Sequence, residues 1–81
     1  MTITVKWFAM LRDVAGAEAC ALAVEPGTTA EAVRAALLAR YPGLRHWLPY
    51  VRLALNREYG SWDAVLRDGD ELALIPPVSG G

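Results

Sequence analysis

The sequence has 81 residues, of which 54% are hydrophobic and 21% charged, and a net charge of −1. That length allows one domain, and a chain this small buries only about 60% of its unfolded surface, so every apolar strand is needed. No block of Lys or Arg marks a nucleic-acid surface, and no apolar run is long enough to span a membrane, so neither is expected as a partner.

The stretch Met1-Thr2-Ile3-Thr4-Val5 lacks the basic and apolar regions of a secretory signal, which predicts a cytoplasmic protein. Ile3, Val5 and Trp7 alternate with Thr2, Thr4 and Lys6, the period of a strand. The segment from Ala9 to Gly16 breaks the alternation and reads as a turn or short helical connection. Cys20, Leu22 and Val24 resume it, giving a second strand and an N-terminal hairpin. One cysteine cannot form an internal disulfide, and Cys20 reads as a small apolar strand residue. With a single histidine beside it in the inventory, a zinc centre is not expected.

Glu25-Pro26-Gly27 closes the second strand. Thr28 and Glu31 have capping-box spacing, which predicts a helix opening at Thr28-Thr29. Ala30, Val33, Leu37 and Tyr41 define its apolar face, and Tyr41-Pro42-Gly43 ends it. Leu44 to Tyr50 is apolar and irregular. His46 reads as a surface or satisfied residue rather than a catalyst. Val51, Leu53 and Leu55 alternate with Arg52, Ala54 and Asn56 as a third strand, followed by a short element and a loop near Trp62-Asp63. Asp68-Gly69-Asp70 signals a turn, and its acidic cluster with Glu71 reads as a solvated corner. Glu71 to Ile75 is a final strand with Leu72 and Leu74 on one face. One helix on one mixed sheet is a two-layer α+β fold.

No phosphate-cradling loop and no Ser/His/Asp set is present, so the sequence shows no self-contained active site and no cofactor site. The last residues carry the chemistry instead. Pro76 and Pro77 remove two backbone donors, so the final strand stops and an extended segment, Val78-Ser79-Gly80-Gly81, follows. The expected division is a domain over 1–77 and a tail over 78–81. Gly80 and Gly81 lack side chains and fit narrow channels. A terminal carboxylate is ionised at neutral pH and is a poor electrophile, so a partner enzyme must activate it, for instance as an acyl-adenylate. The activated carbonyl then accepts sulfur or a lysine amine. The plainer reading is a frayed terminus. Strand parity also places Phe8 and Ile75 outside, near Tyr59, as a docking patch or as cover for the sheet ends.

Three runs resemble the small-subunit family of molybdopterin synthase: Phe8 to Asp13 followed by Gly16, Ala54 to Tyr59, and above all Leu66 to Gly81. Asp13 stands where the family more often has Glu. The resemblance implies a ubiquitin-like β-grasp and a sulfur-carrier role. It implies that an E1-like adenylyltransferase, using its own ATP, activates Gly81 with Gly80 supporting insertion. A sulfur donor protein then makes a thiocarboxylate, which the large subunit uses on cyclic pyranopterin monophosphate. Two small subunits on a dimer of large subunits is the implied assembly. Phe8, Tyr59 and Ile75, with Pro76, Pro77, Val78 and Ser79, fall at the implied interface. A carrier for thiamine or another thiolation pathway, a protein modifier, and an interaction module with an inert tail are the competing readings.

Overall fold

The computed structural model describes residues 1–77. Strand β1 (Thr2–Trp7) carries β-branched Thr2, Ile3, Thr4 and Val5, side chains that suit a pleated surface, and buries Ile3, Val5 and Trp7. Helix α1 (Met10–Ala15) occupies the expected connection. Gly16, left-handed at φ 75°, caps it by donating its N–H to the Arg12 carbonyl at 2.8 Å. Strand β2 (Ala19–Ala23) pairs antiparallel with β1, with Cys20 opposite Val5. Cys20 is half-buried and packs against the core, the expected structural role.

Helix α2 (Ala30–Arg40) begins one residue later than the capping-box spacing predicts. Thr29 is the cap: its hydroxyl oxygen accepts the Ala32 N–H at 3.2 Å. Thr28 instead donates its hydroxyl to the Glu25 carbonyl at 2.7 Å, closing the preceding turn. Glu31 is drawn away from any cap by Arg34 at 3.0 Å. The helix buries Ala30, Val33 and Leu37 as expected, and half-buried Tyr41 meets Trp7 edge-on at 5.6 Å. The segment expected to be irregular forms two 3₁₀ turns, Pro42–His46 and Leu48–Tyr50, which bury Leu44 and Leu48. His46 is exposed in the first of them.

Strands β3 (Arg52–Leu55), β4 (Glu58–Tyr59) and β5 (Glu71–Ile75) complete a five-stranded sheet in the order β2-β1-β5-β3-β4. β5 runs parallel to β1 and antiparallel to β3, so the last of these strands lies at the middle of the sheet. Asn56 and Arg57 link β3 to β4 at φ 51° and 73°, the positive pair of a type I′ two-residue hairpin. The core lies between α2 and one face of the sheet, where Val5, Leu72 and Leu74 are fully covered. Among the described residues no helix covers the other face. This is the α+β, ubiquitin-like β-grasp arrangement expected from the sequence.

The acidic corner is not simply solvated. Asp68 Oδ1 accepts the Thr2 N–H at 2.9 Å, and Asp70 Oδ2 accepts the Arg67 N–H at 2.7 Å. Asp70 Oδ1 accepts from Asn56 Nδ2 at 2.9 Å, while Asn56 Oδ1 accepts the Glu71 N–H at 3.0 Å. Gly69 turns the corner at φ 84°, a conformation costly for a side-chain-bearing residue. The carboxylates therefore tie the start of β1, the β3–β4 hairpin and the start of β5 together.

Candidate functional site

The uncovered sheet face is built by strand register. Residues directly opposite across a ladder point to the same side. Lys6 pairs with Ala19 and Ala73, Ala73 with Ala54, and Ala54 with Tyr59. That row crosses the sheet from edge to edge. Ala73 and Ala54 form its floor, and small side chains there leave a hollow of about 260 Å³. Phe8, Tyr59 and Ile75 rim this hollow with Lys6, Arg57 and Glu71. The three apolar residues named by parity and by resemblance thus share one concavity. Phe8 is 45% exposed and Tyr59 62% exposed, so two large rings face solvent there, while Ile75 is half-buried.

Sequence parity did not find the polar part of the rim. Lys6 Nζ lies 2.7 Å from Glu71 Oε1. The hydrogen bond from Lys6 holds the Glu71 carboxyl below its ordinary range. Partial desolvation opposes the shift, and the charges of Lys6 and Arg57 add to it. The Arg52 guanidinium stacks over the Tyr59 ring at 4.4 Å, which fixes an otherwise mobile exposed aromatic. Lys6 was visible as an outward residue beside Thr2 and Thr4, but its partner on β5 depends on register.

Phe8 is also a ridge between two hollows. The second, about 300 Å³, lies toward Arg12, Glu18 and Ala19. A larger hollow of about 400 Å³ lies on the other side of the molecule, between α2 and the 3₁₀ turns, and contains none of the expected residues. Pro76 is buried and Pro77 exposed, so the domain keeps hold of the chain through Pro76 and presents Pro77. Val78, Ser79, Gly80 and Gly81 lie outside the described residues.

Among the described residues no group of His, Cys, Asp or Glu could hold a metal ion, and no helix is long and apolar enough to cross a membrane. The hollow holds one amine, and that amine is engaged by Glu71. An apolar rim beside the Lys6–Glu71 ion pair and Arg57 suits docking of another protein surface rather than bond-making within the domain.

Comparison with known proteins places this arrangement. The pattern describing the ThiS family matches residues 5–81. The molybdopterin synthase sulfur carrier subunit of Chlamydomonas reinhardtii is 39% identical, with all of both chains covered. Its counterpart in Escherichia coli is 37% identical over 98% of this chain and 99% of the relative. Among solved structures, the small archaeal modifier protein 1 of H. volcanii superposes with a TM-score of 0.85 at 28% identity, covering 95% of this chain and 98% of that one. Subunit 1 or 2 in the molybdopterin-converting factor complex of Helicobacter pylori superposes at 0.73 with 29% identity, covering all of both chains.

Proposed function

The chain belongs to the ThiS family, and from that premise we propose that it is the sulfur-carrier subunit of a molybdopterin synthase. The observation that carries the reading is similarity to a sulfur carrier subunit over the whole length of the chain, the Gly80-Gly81 end included. The hollow ringed by Phe8, Tyr59 and Ile75 beside β5 supports it, because a carrier must be gripped near its working end.

In this reading Gly81 is the reactive residue. An E1-like partner holds ATP and joins the Gly81 carboxylate to AMP, releasing pyrophosphate. A sulfur donor protein then supplies sulfur at the sulfide level: the sulfur bonds to the carbonyl carbon, the bond from that carbon to the AMP oxygen breaks, AMP leaves with the electron pair, and a thiocarboxylate remains. The large subunit receives the tail and consumes the sulfur on cyclic pyranopterin monophosphate, supplying the catalytic acids, bases and substrate pocket. This chain's residues bind and position. Phe8, Tyr59 and Ile75 seat the partner, and Gly80 and Gly81, lacking side chains, suit a narrow channel.

The test is the mass of the C-terminal peptide from protein purified out of its own cells. Replacement of one oxygen by sulfur is expected, and deletion of Gly81 abolishes sulfur delivery while leaving the fold intact. The likeness to a small archaeal modifier protein favours one second reading, a modifier joined to lysines. Lysine-linked conjugates without thiocarboxylate would establish that reading in place of the first.

A further inference from the structure

The two edges of the sheet are unlike. Strand β4, at one edge, is two residues long and carries Glu58, which leaves little backbone to pair. Strand β2, at the other, runs Ala19-Cys20-Ala21-Leu22-Ala23 with no charge and no proline, the features that usually protect an edge.

Its free backbone groups can be assigned. Val24 donates to the Met1 carbonyl at 2.8 Å and Met1 donates to the Val24 carbonyl at 3.0 Å, so this opposed pair exchanges both bonds. Trp7 donates to the Glu18 carbonyl at 2.9 Å. Antiparallel ladders alternate, so Glu18, Cys20, Leu22 and Val24 face β1 with their N–H and C=O groups. The N–H and C=O groups of Ala19, Ala21 and Ala23 point away from the sheet. Among the described residues they have no other hydrogen-bond partner, and all three residues are exposed.

We propose that β2 is a self-pairing edge, joining two copies of this chain antiparallel about a twofold axis through Ala21 into one continuous sheet. The strand is symmetric for this purpose. With Ala21 opposite Ala21, Ala19 of each copy lies opposite Ala23 of the other. Each of these alanines then donates one bond and accepts one. Only methyl groups meet on the uncovered face, and Cys20 lies opposite Leu22 on the core side. Like charges do not face each other. Glu18 falls opposite Val24, and Glu25 opposite Ala17. The Glu18 carboxylate is engaged by Arg12 at 3.4 Å. The axis is perpendicular to the sheet, so both hollows ringed by Phe8, Tyr59 and Ile75 open on the same side, away from the joint, and the two β5 strands point in opposite directions. The contact is small and composed largely of backbone bonds, which makes a reversible dimer.

Sedimentation of the purified full chain over rising concentration tests this. The wild type is expected to pass from monomer to dimer, with the Ala19, Ala21 and Ala23 amides gaining protection from hydrogen exchange as it does so. Ala21→Pro removes an N–H that makes no bond within the domain, at an edge position proline tolerates, and is expected to abolish the dimer. Ala21→Lys places two ammonium groups at the axis and serves the same purpose without touching the backbone. A wild type monomeric at every concentration overturns the proposal, as does a dimer that persists in both variants. A partner strand occupying this edge in place of a second copy would give the first of these outcomes. The measurement is indifferent to whether Gly81 carries sulfur, so it stands or falls apart from the carrier role.

Discussion

Asn56 and Asp70 are fourteen residues apart and share a 2.9 Å hydrogen bond from Nδ2 to Oδ1. Asn56 also accepts the Glu71 N–H and holds φ 51° at the head of the β3–β4 hairpin. Replacing it removes two hydrogen bonds and leaves a residue less tolerant of left-handed geometry. Asn56→Ala is expected to cost about 2 kcal/mol, read from denaturant unfolding. The neighbouring Arg57, at φ 73°, carries the opposite expectation. Arg57→Gly relieves the left-handed strain and gains about 0.5 kcal/mol.

The two threonines before α2 separate a real cap from an apparent one. Thr29→Ala removes the acceptor for the Ala32 N–H and is expected to destabilise the domain by about 1 kcal/mol. That is a fall of roughly 4–8 °C in the thermal midpoint for a domain of this size. Thr28→Ala loses only an exposed turn bond to the Glu25 carbonyl and should fall less. Equal losses would place the helix start at Thr28.

Lys6 and Glu71 predict a pH dependence. The folded state holds the Glu71 carboxyl below its ordinary range, chiefly through the Lys6 hydrogen bond. The unfolded chain therefore takes up this proton first as acid is added. The pair contributes stability above the ordinary carboxylate pKa, and that contribution is lost as pH falls through the lowered folded value. Both groups are partly exposed, so water screens the pair and the effect is modest. Glu71→Gln should flatten the acid limb of a midpoint-against-pH curve while changing little when Glu71 would be protonated in both states. An unaltered acid limb would remove this pair from the account.

Ile75 sits opposite Arg52 on the uncovered face, half-buried at the rim of the hollow. Ile75→Lys puts an ammonium where a partner's apolar surface is expected. Binding to the large subunit should weaken about tenfold or more by calorimetry, with the circular dichroism spectrum retained. Unchanged affinity would take Ile75 out of the docking surface.

Much of this was readable in advance. The alternation of Ile3, Val5 and Trp7, and of Leu72 and Leu74, identified core-facing side chains because burial on one sheet face imposes period two. The outward placement of Phe8 and Ile75 follows from the same parity, and Tyr59 joins them through the β3–β4 hairpin. Four features were not readable. The 3₁₀ turns over 42–50 have no strong period, so buried Leu44 and Leu48 gave no pattern. The cap was misplaced because spacing alone does not reveal that Arg34 captures Glu31. The wiring of Asp68 and Asp70 spans distant segments, and the Lys6–Glu71 pair needs the β1–β5 register, which no local sequence carries.

The central place of β5 orders events during synthesis. The four strands made before it fall into two hairpins, β1 with β2 and β3 with β4, whose ladders join only through it. On a ribosome the sheet stays in halves until Glu71–Ile75 has emerged, since contacts this distant in sequence form late.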